Sequence, residues 1–388
     1  VLIGRHQGVA YGVLYDNLAT CTFDLGCELD NYHGLFSSYR AEGGDLDYYF
    51  IAGPRILDVT RRVHHLIGGT LFGPRWSLGY SGSSMAYTDA ADPVSALEGF
   101  LEDSERHEME CSSFHLSSGY TLRGGKRYVF HWNRDRVPQP QKLIEQFHRR
   151  GVRVAANIKP MLLDDHPDFA RLRDQGLFIR DSEDPEQPAL AQVWDGEGAH
   201  LDFTHPETRR LWGQQVKKTL LDVGVDATWN DNNEFEIWDE QAKTHIGVPL
   251  GLLRPIQTLL MLQTSYVAQR AARPTERPWL ISRSVCPGMQ RYAQTWSGDN
   301  LTSWETLRDN TAMGLGASLS GLFNIGHDVG GFSGPAPDGE LLRRWVQTGV
   351  FFPRFVIHSW NEDGSVTEPW MHPAERDVIR EALEFRQR

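Results

Sequence analysis

The chain has 388 residues, 40% hydrophobic and 23% charged, the balance of a folded soluble protein with a core large enough for one big domain or two. A formal net charge of -12 argues against nucleic acid and anionic membrane as partners. No stretch of 18 or more apolar residues is present to form a transmembrane helix.

The first region reads as β. Residues 8–15, 19–25 and 46–52 each alternate small or apolar with exposed positions, and Gly53-Pro54 closes the third run. Residues 55–68 then read as a helix with Ile56, Val59, Val63 and Leu66 on one face, and Gly68-Gly69 breaks it. The chain opens at Val1 inside this strand-like region with no secretion signal, so its natural N-terminus is expected upstream. Cys21, Cys27, Cys111 and Cys286 form no CxxC pair and read as free thiols; with no signal segment, this favours the cytoplasm.

From Trp76 the pattern changes to strand, helix, strand. Short apolar strands are predicted at 76–80, 110–116, 152–158, 227–231, 279–282, 294–297, 321–325 and 355–357. Amphipathic stretches lie between them at 93–106, 140–150, 206–223, 252–272, 303–315 and 340–348, with a last helix at 372–387. Continuous apolar strands suit a parallel sheet covered by helices, and eight such units make a (β/α)8 barrel. A doubly wound open sheet is the weaker alternative, because no GxGxxG follows the first strand. The expected division is a β-sandwich tail plus linker helix over 1–67 and a barrel over 68–388. Two departures from a plain barrel are expected, a hairpin arm at 126–132 and a polar excursion near 181–200.

Active sites of such barrels lie at the C-terminal ends of the strands, so the polar residues closing each apolar run are the candidates. The second run closes with Ser117 and Tyr120, the third with Asn157 and Lys159, and the fourth with Trp229, Asp231 and Glu234. The fifth closes with Arg283, the sixth with Trp296 and Asp299, the seventh with His327 and Asp328, and the eighth with His358 and Trp360. An Asp at a strand end is commonly only the cap of the next helix. Asp231 is a poor cap, since Asn232-Asn233-Glu234 starts no clear helix, and Ser303 is better placed than Asp299 to cap the helix after strand six. The glycines after Asp328 let the backbone approach either a ligand or another loop. His64 and His65 read as structural. HExxH, GxSxG and Walker patterns are missing, so neither a metal nor a cofactor is expected. What remains is a pair of carboxylates, Asp231 and Asp299, each beside a Trp, the equipment for cleaving glycosidic bonds. An unrelated barrel chemistry resting on Lys159, as in an aldolase, is the distant alternative.

At these motifs the chain resembles glycoside hydrolase family 31. The family's nucleophile motif, Trp-x-Asp-Met-Asn-Glu, is matched by Trp229-Asn230-Asp231-Asn232-Asn233-Glu234, with Asn in place of Met. Its acid/base pattern is matched by Arg283-Ser284, Arg291-Tyr292 and Trp296-Ser297-Gly298-Asp299-Asn300. Gly326-His327-Asp328-Val329-Gly330-Gly331-Phe332 and His358 match the ends of its seventh and eighth strands, and the resemblance covers about 75–388. It implies a retaining, exo-acting α-glycosidase of α-glucosidase type acting on an oligosaccharide or α-glycoside. Asp231 would be the nucleophile and Asp299 the acid/base. Arg283, Trp229, Trp296, Asp328, His358, Ser117, Lys159 and Glu234 would hold substrate. Arg283 is expected to keep Asp231 charged. Many members place an Asp where this chain has Ser117, so α-galactosidase and α-xylosidase stand beside α-glucosidase, with a transglycosidase or a carbohydrate-binding pseudoenzyme as further alternatives. The resemblance also implies outer β domains beyond this chain. It leaves oligomeric state open, a homo-oligomer included.

Overall fold

The computed structural model describes residues 1–30, 32 and 34–388. Eight parallel strands close into a barrel: Ser81–Ser84, Ser113–Leu116, Arg153–Ile158, Ala227–Asn230, Leu280–Ser282, Gln294–Trp296, Ile325–Asp328 and Arg354–Asn361. The eighth pairs with the first through Val356 and Ser81 and with the seventh through Gly326 and Arg354, which completes the ring. Helices Pro93–Arg106, Pro140–Arg149, Pro206–Thr219, Arg254–Ala272, Trp304–Leu319, Gly339–Gly349 and Arg376–Gln387 form the outer layer. Several begin with Pro in the first turn or carry a side-chain cap, as where Asp92 accepts from the Ser95 N–H and Ser303 from the Thr306 N–H. Ser303 is thus the cap, and Asp299 is left for other work. The fifth crossover has no α-helix; a single 3₁₀ turn, Met289–Arg291, leads from the fifth strand to the sixth.

Two strands lie away from their expected places. Residues 75–78 form a 3₁₀ turn, and the first barrel strand is Ser81-Gly82-Ser83-Ser84, fully buried without one large apolar residue. Its hydroxyls are satisfied inside the barrel: Ser81 Oγ meets Ser113 Oγ at 2.6 Å, and Ser83 Oγ donates to the His115 carbonyl at 2.8 Å. Gly82 is required there because a Cβ would stand 2.3 Å from the Phe100 ring. The seventh strand starts at Ile325, four residues later than the apolar run suggests.

Before the barrel, Leu2–His6, Val9–Tyr15 and Tyr48–Ala52 make an antiparallel sheet, and Cys21–Asp30 pairs with Gly34–Ala41. Helix Ile56–Ile67 packs on that sheet through Val59 and Val63, whereas Ile56 and Leu66 are exposed, so its buried face is narrower than the periodicity predicted. The helix joins the barrel through Thr60 Oγ1, which donates to the Leu319 carbonyl at 2.8 Å, and through Gln290 Nε2, which donates to the carbonyls of Ile67 and Gly68 at 2.9 Å. His64 is structural: its Nε2 accepts from the Thr70 N–H. All four cysteines are free. Among the described residues no helix is long and apolar enough to cross a membrane.

The polar excursion after the third strand is a small antiparallel sheet of Met161–Leu163, Leu190–Val193 and Gly196–His200, and its hairpin tip is Trp194-Asp195. Arg127, on the short hairpin Leu122–Arg123/Lys126–Arg127, latches that tip. Its backbone N–H and Nη1 reach Asp195 at 2.7 and 3.2 Å, and its Nη2 reaches Asp89 at 2.9 Å.

Candidate active site

The C-terminal ends of the strands surround a cavity of about 330 Å³, within the size range of small-ligand sites. Asp231, Asp299, Arg283, Trp229, Trp296, His358, Ser117 and Glu234 all line it. The fourth strand brings Trp229 onto the floor, where its ring meets Trp296 edge-on at 5.8 Å and the His358 ring at 5.2 Å. Asp231 follows at the strand's end. Asn232 then takes a left-handed turn (φ 47°), a conformation Asn tolerates better than most side chains, and its Oδ1 accepts from Lys159.

Asp231 is 7% exposed and surrounded by donors. Its Oδ2 accepts from Lys159 Nζ at 2.8 Å and from Asn157 Nδ2 at 3.0 Å, while its Oδ1 lies 3.3 Å from Arg283 Nη1. Burial opposes the charged form, but Lys159, Arg283 and the Asn157 amide outweigh it and hold this carboxyl well below the ordinary carboxylate range. Lys159, expected to hold substrate, is instead 7% exposed, does not line the cavity, and is committed to Asp231 and Asn232. It joins Arg283 as the second cation beside Asp231.

Asp299 stands in the opposite condition. Its side chain is 57% exposed at the cavity mouth, and its nearest ionic partner is the same Arg283 Nη1, at 3.8 Å. The cavity walls desolvate it and raise its pKa; Arg283 pulls the other way, and the Asp231 charge reinforces the rise. Because Arg283 Nη1 approaches both carboxylates, the two oxygens concerned are at most about 7 Å apart, a bound compatible with the spacing of retaining glycosidases. Arg283 is itself fixed by a bidentate pair with Glu234, Nε to Oε1 at 2.7 Å and Nη2 to Oε2 at 2.9 Å. Glu234 therefore lines the cavity with its carboxylate already engaged.

Six buried polar atoms of cavity-lining residues have no hydrogen-bond partner among the described residues: Asp231 Oδ1, Asn157 Oδ1, Ser118 Oγ, His200 Nδ1, Trp229 Nε1 and His358 Nδ1. Burial and the Arg354 charge push the His358 pKa down to about 3, so the ring is neutral. Donors and acceptors left open on an aromatic floor fit a neutral polyhydroxyl ligand whose ring offers C–H faces. Ser117 is 1% exposed and donates to Met85 Sδ at 2.6 Å, so a hydroxyl and a thioether, with no carboxylate, line this part of the wall.

Asp328 is fully buried and does not line the cavity. Arg354 Nη2 donates to its Oδ1 at 2.9 Å, and burial, against that pull, pushes its pKa up to about 7. The glycines after Asp328 serve another loop: a Cβ on Gly331 would strike Thr302 at 2.4 Å. Trp194, which the sequence reading missed, lines the cavity from the excursion's tip, half-exposed, with Arg127 and Lys159 4.6 and 4.9 Å from its ring centre. Among the described residues, His131, His166 and Asp168 form a group of metal-ligating type outside the cavity. Both His166 ring nitrogens are already bonded there, Nδ1 to the Asp168 N–H and Nε2 to the Val129 carbonyl.

The model of the glycosyl hydrolases family 31 TIM-barrel domain matches residues 70–388. Alpha-glucosidase 2 of Bacillus thermoamyloliquefaciens is 31% identical over 370 residues, 91% of this chain and 44% of that protein. Neutral alpha-glucosidase AB of Homo sapiens is 31% identical over 360 residues, 89% of this chain and 37% of that protein. The chain thus spans less than half the length of these relatives. Among solved structures, the Tris-bound glucosidase II alpha subunit superposes with a TM-score of 0.88 at 23% identity, over 98% of this chain and 42% of that one. An alpha-xylosidase from a soil metagenome, complexed with xylose, superposes with a TM-score of 0.83 at 21% identity, over 97% of this chain and 57% of that one.

Proposed function

The chain belongs to glycoside hydrolase family 31, and on that premise we propose that it is the catalytic barrel of a retaining, exo-acting α-glycosidase in which Asp231 attacks and Asp299 transfers the proton. The observation that carries this reading is the single guanidinium nitrogen of Arg283 shared by two carboxylates of unlike environment, 3.3 Å from one and 3.8 Å from the other. Asp231, buried and doubly paired with cations, is ionised at any pH at which the protein works. Asp299, desolvated and beside another negative charge, has its pKa raised, the direction that an acid needs.

The steps follow from those states. Asp231 Oδ1, which has the Arg283 guanidinium 3.3 Å away but accepts no full hydrogen bond, forms a bond to the anomeric carbon as the glycosidic C–O bond breaks. The leaving oxygen takes the Asp299 proton. Water then attacks the same carbon, giving its proton to the now ionised Asp299 and releasing Asp231 as carboxylate, with net retention. Trp229 supplies the floor beneath the sugar, Trp296 and Trp194 its walls, and His358 and Asn157 bonds to its hydroxyls.

For the sugar, the names of the relatives support glucose. The Ser117–Met85 wall favours a sugar that asks for no carboxylate there, which keeps galactose and xylose as the second reading. A panel of p-nitrophenyl α-glycosides of glucose, galactose, xylose and N-acetylgalactosamine tests both. Turnover of one of them with the α-anomer released first is expected. A first-released β-anomer would overturn the retaining mechanism, and no turnover of any would favour a carbohydrate-binding role. Sugar-transfer products at high substrate would identify a transglycosidase.

A further inference from the structure

The acid/base group sits on a turn whose shape is held from beneath, and the holder is a residue outside the roles above. Asp299 makes no close side-chain bond of its own; its nearest ionic contact is the 3.8 Å approach of Arg283. Its position therefore depends on the backbone of Ser297-Gly298-Asp299-Asn300. That turn is closed by the Asn300 N–H to the Gly298 carbonyl at 3.0 Å and tied to the seventh-strand loop by the Phe332 N–H to the Asn300 carbonyl at 2.9 Å. On its underside the Ser297 hydroxyl donates to Asn300 Oδ1, bridging the two ends of the turn, and the same oxygen lies 2.7 Å from His327 Nδ1. Whichever of the two atoms carries the proton, the Nδ1–Oγ bond ties the Ser297 hydroxyl to the His327 ring. The ring is 4% exposed and packs edge-on against Phe352 at 5.1 Å, so its aim is fixed by the core.

We propose that His327 is a positioning residue for Asp299: the hydrogen bond at Nδ1 holds the Ser297 hydroxyl against Asn300, and this relay sets where the acid's carboxyl stands over the leaving oxygen. The inference rests on Asp299 being the proton donor. Its signature is dependence on the leaving group, because only a substrate that needs protonation feels a misplaced acid. The experiment compares kcat/KM on aryl and alkyl α-glycosides of the preferred sugar for His327→Leu, His327→Asn, Ser297→Ala and Asp299→Ala, with thermal unfolding of each. His327→Asn keeps a hydrogen-bonding group near the position of Nδ1, whereas His327→Leu removes it.

His327→Leu and Ser297→Ala are expected to lose about 10-fold to 100-fold on the alkyl glycoside, part of what a well-placed acid contributes, and to keep the rate on the dinitrophenyl glycoside. His327→Asn is expected to recover most of the loss. Equal losses on both substrates, or no loss in Ser297→Ala, would overturn the relay even if His327→Leu proved unstable. Asp299→Ala separates the two levels. If it lacks leaving-group dependence, the acid assignment has failed; if it has that dependence and the relay variants lack it, only the present inference has failed.

Discussion

Two aspartates of this cavity hang from one arginine and have little else in common. Asp231 is walled in and touched by an amide, an ammonium and a guanidinium within 3.3 Å. Asp299 faces water over more than half of its side chain and has a single cation at 3.8 Å. On the proposed reading, one residue type receives two jobs from its surroundings alone: dense positive packing keeps the first a carboxylate, and a partly dry, partly negative setting raises the pKa of the second. The comparison also divides the labour of the fold. The third, fourth and fifth strands build the charged side as rigid core, and the sixth and seventh hold the other side by a turn and its supports.

The contrast predicts a graded set of losses. Asp231→Ala removes the attacking atom and is expected to cut kcat by about 10⁴-fold or more on every substrate, the scale on which a missing nucleophile is felt. Steady-state rates on activated and unactivated glycosides check this, and substantial activity on either would end the nucleophile assignment. Asp299→Ala is expected to cost about 10²-fold to 10⁴-fold on alkyl glycosides and far less in bond cleavage of dinitrophenyl glycosides, read from the burst of released phenol.

Lys159→Met takes away the cation that contributes most to keeping Asp231 ionised. With that charge gone the Asp231 pKa rises, so activity is expected to fall about 10-fold or more, and its acid limb to move to higher pH, since activity is lost as pH drops through that pKa. An unmoved acid limb would mean that Arg283 alone suffices. Glu234→Gln gives the smallest effect. Glu234 raises the Asp299 pKa and also occupies Arg283, so removing its charge lowers that pKa. The basic limb, where Asp299 loses its proton, is expected to move to lower pH; a shift upward would contradict the placing of these charges.

The sequence made the two aspartates, the barrel and Arg283 legible because each rests on a local pattern, an apolar run followed by an aromatic and an acid. It hid what depends on neighbours distant in the chain. The first strand, Ser-Gly-Ser-Ser, escapes any search for apolar runs, since a barrel interior fills with hydroxyls when Phe100 already takes the space beside Gly82. Lys159 looks like a substrate ligand until the fourth strand sets Asp231 beside it. Asp328 looks like a site residue at a strand end, yet its side chain is buried against Arg354, four residues before His358 on the next strand. Trp194 sits in a polar stretch and reaches the cavity only because Arg127 and Asp195 latch the hairpin.

The division of roles between the two aspartates is tested most directly by trapping the covalent intermediate in Asp299→Ala. Without a base to activate water, a dinitrophenyl α-glycoside of the preferred sugar should load the enzyme faster than it unloads. Mass spectrometry of peptides after an acid quench is then predicted to find one added glycosyl group on the peptide carrying Asp231. A label on Glu234 or any other residue would contradict the account, as would phenol release with no label on the protein.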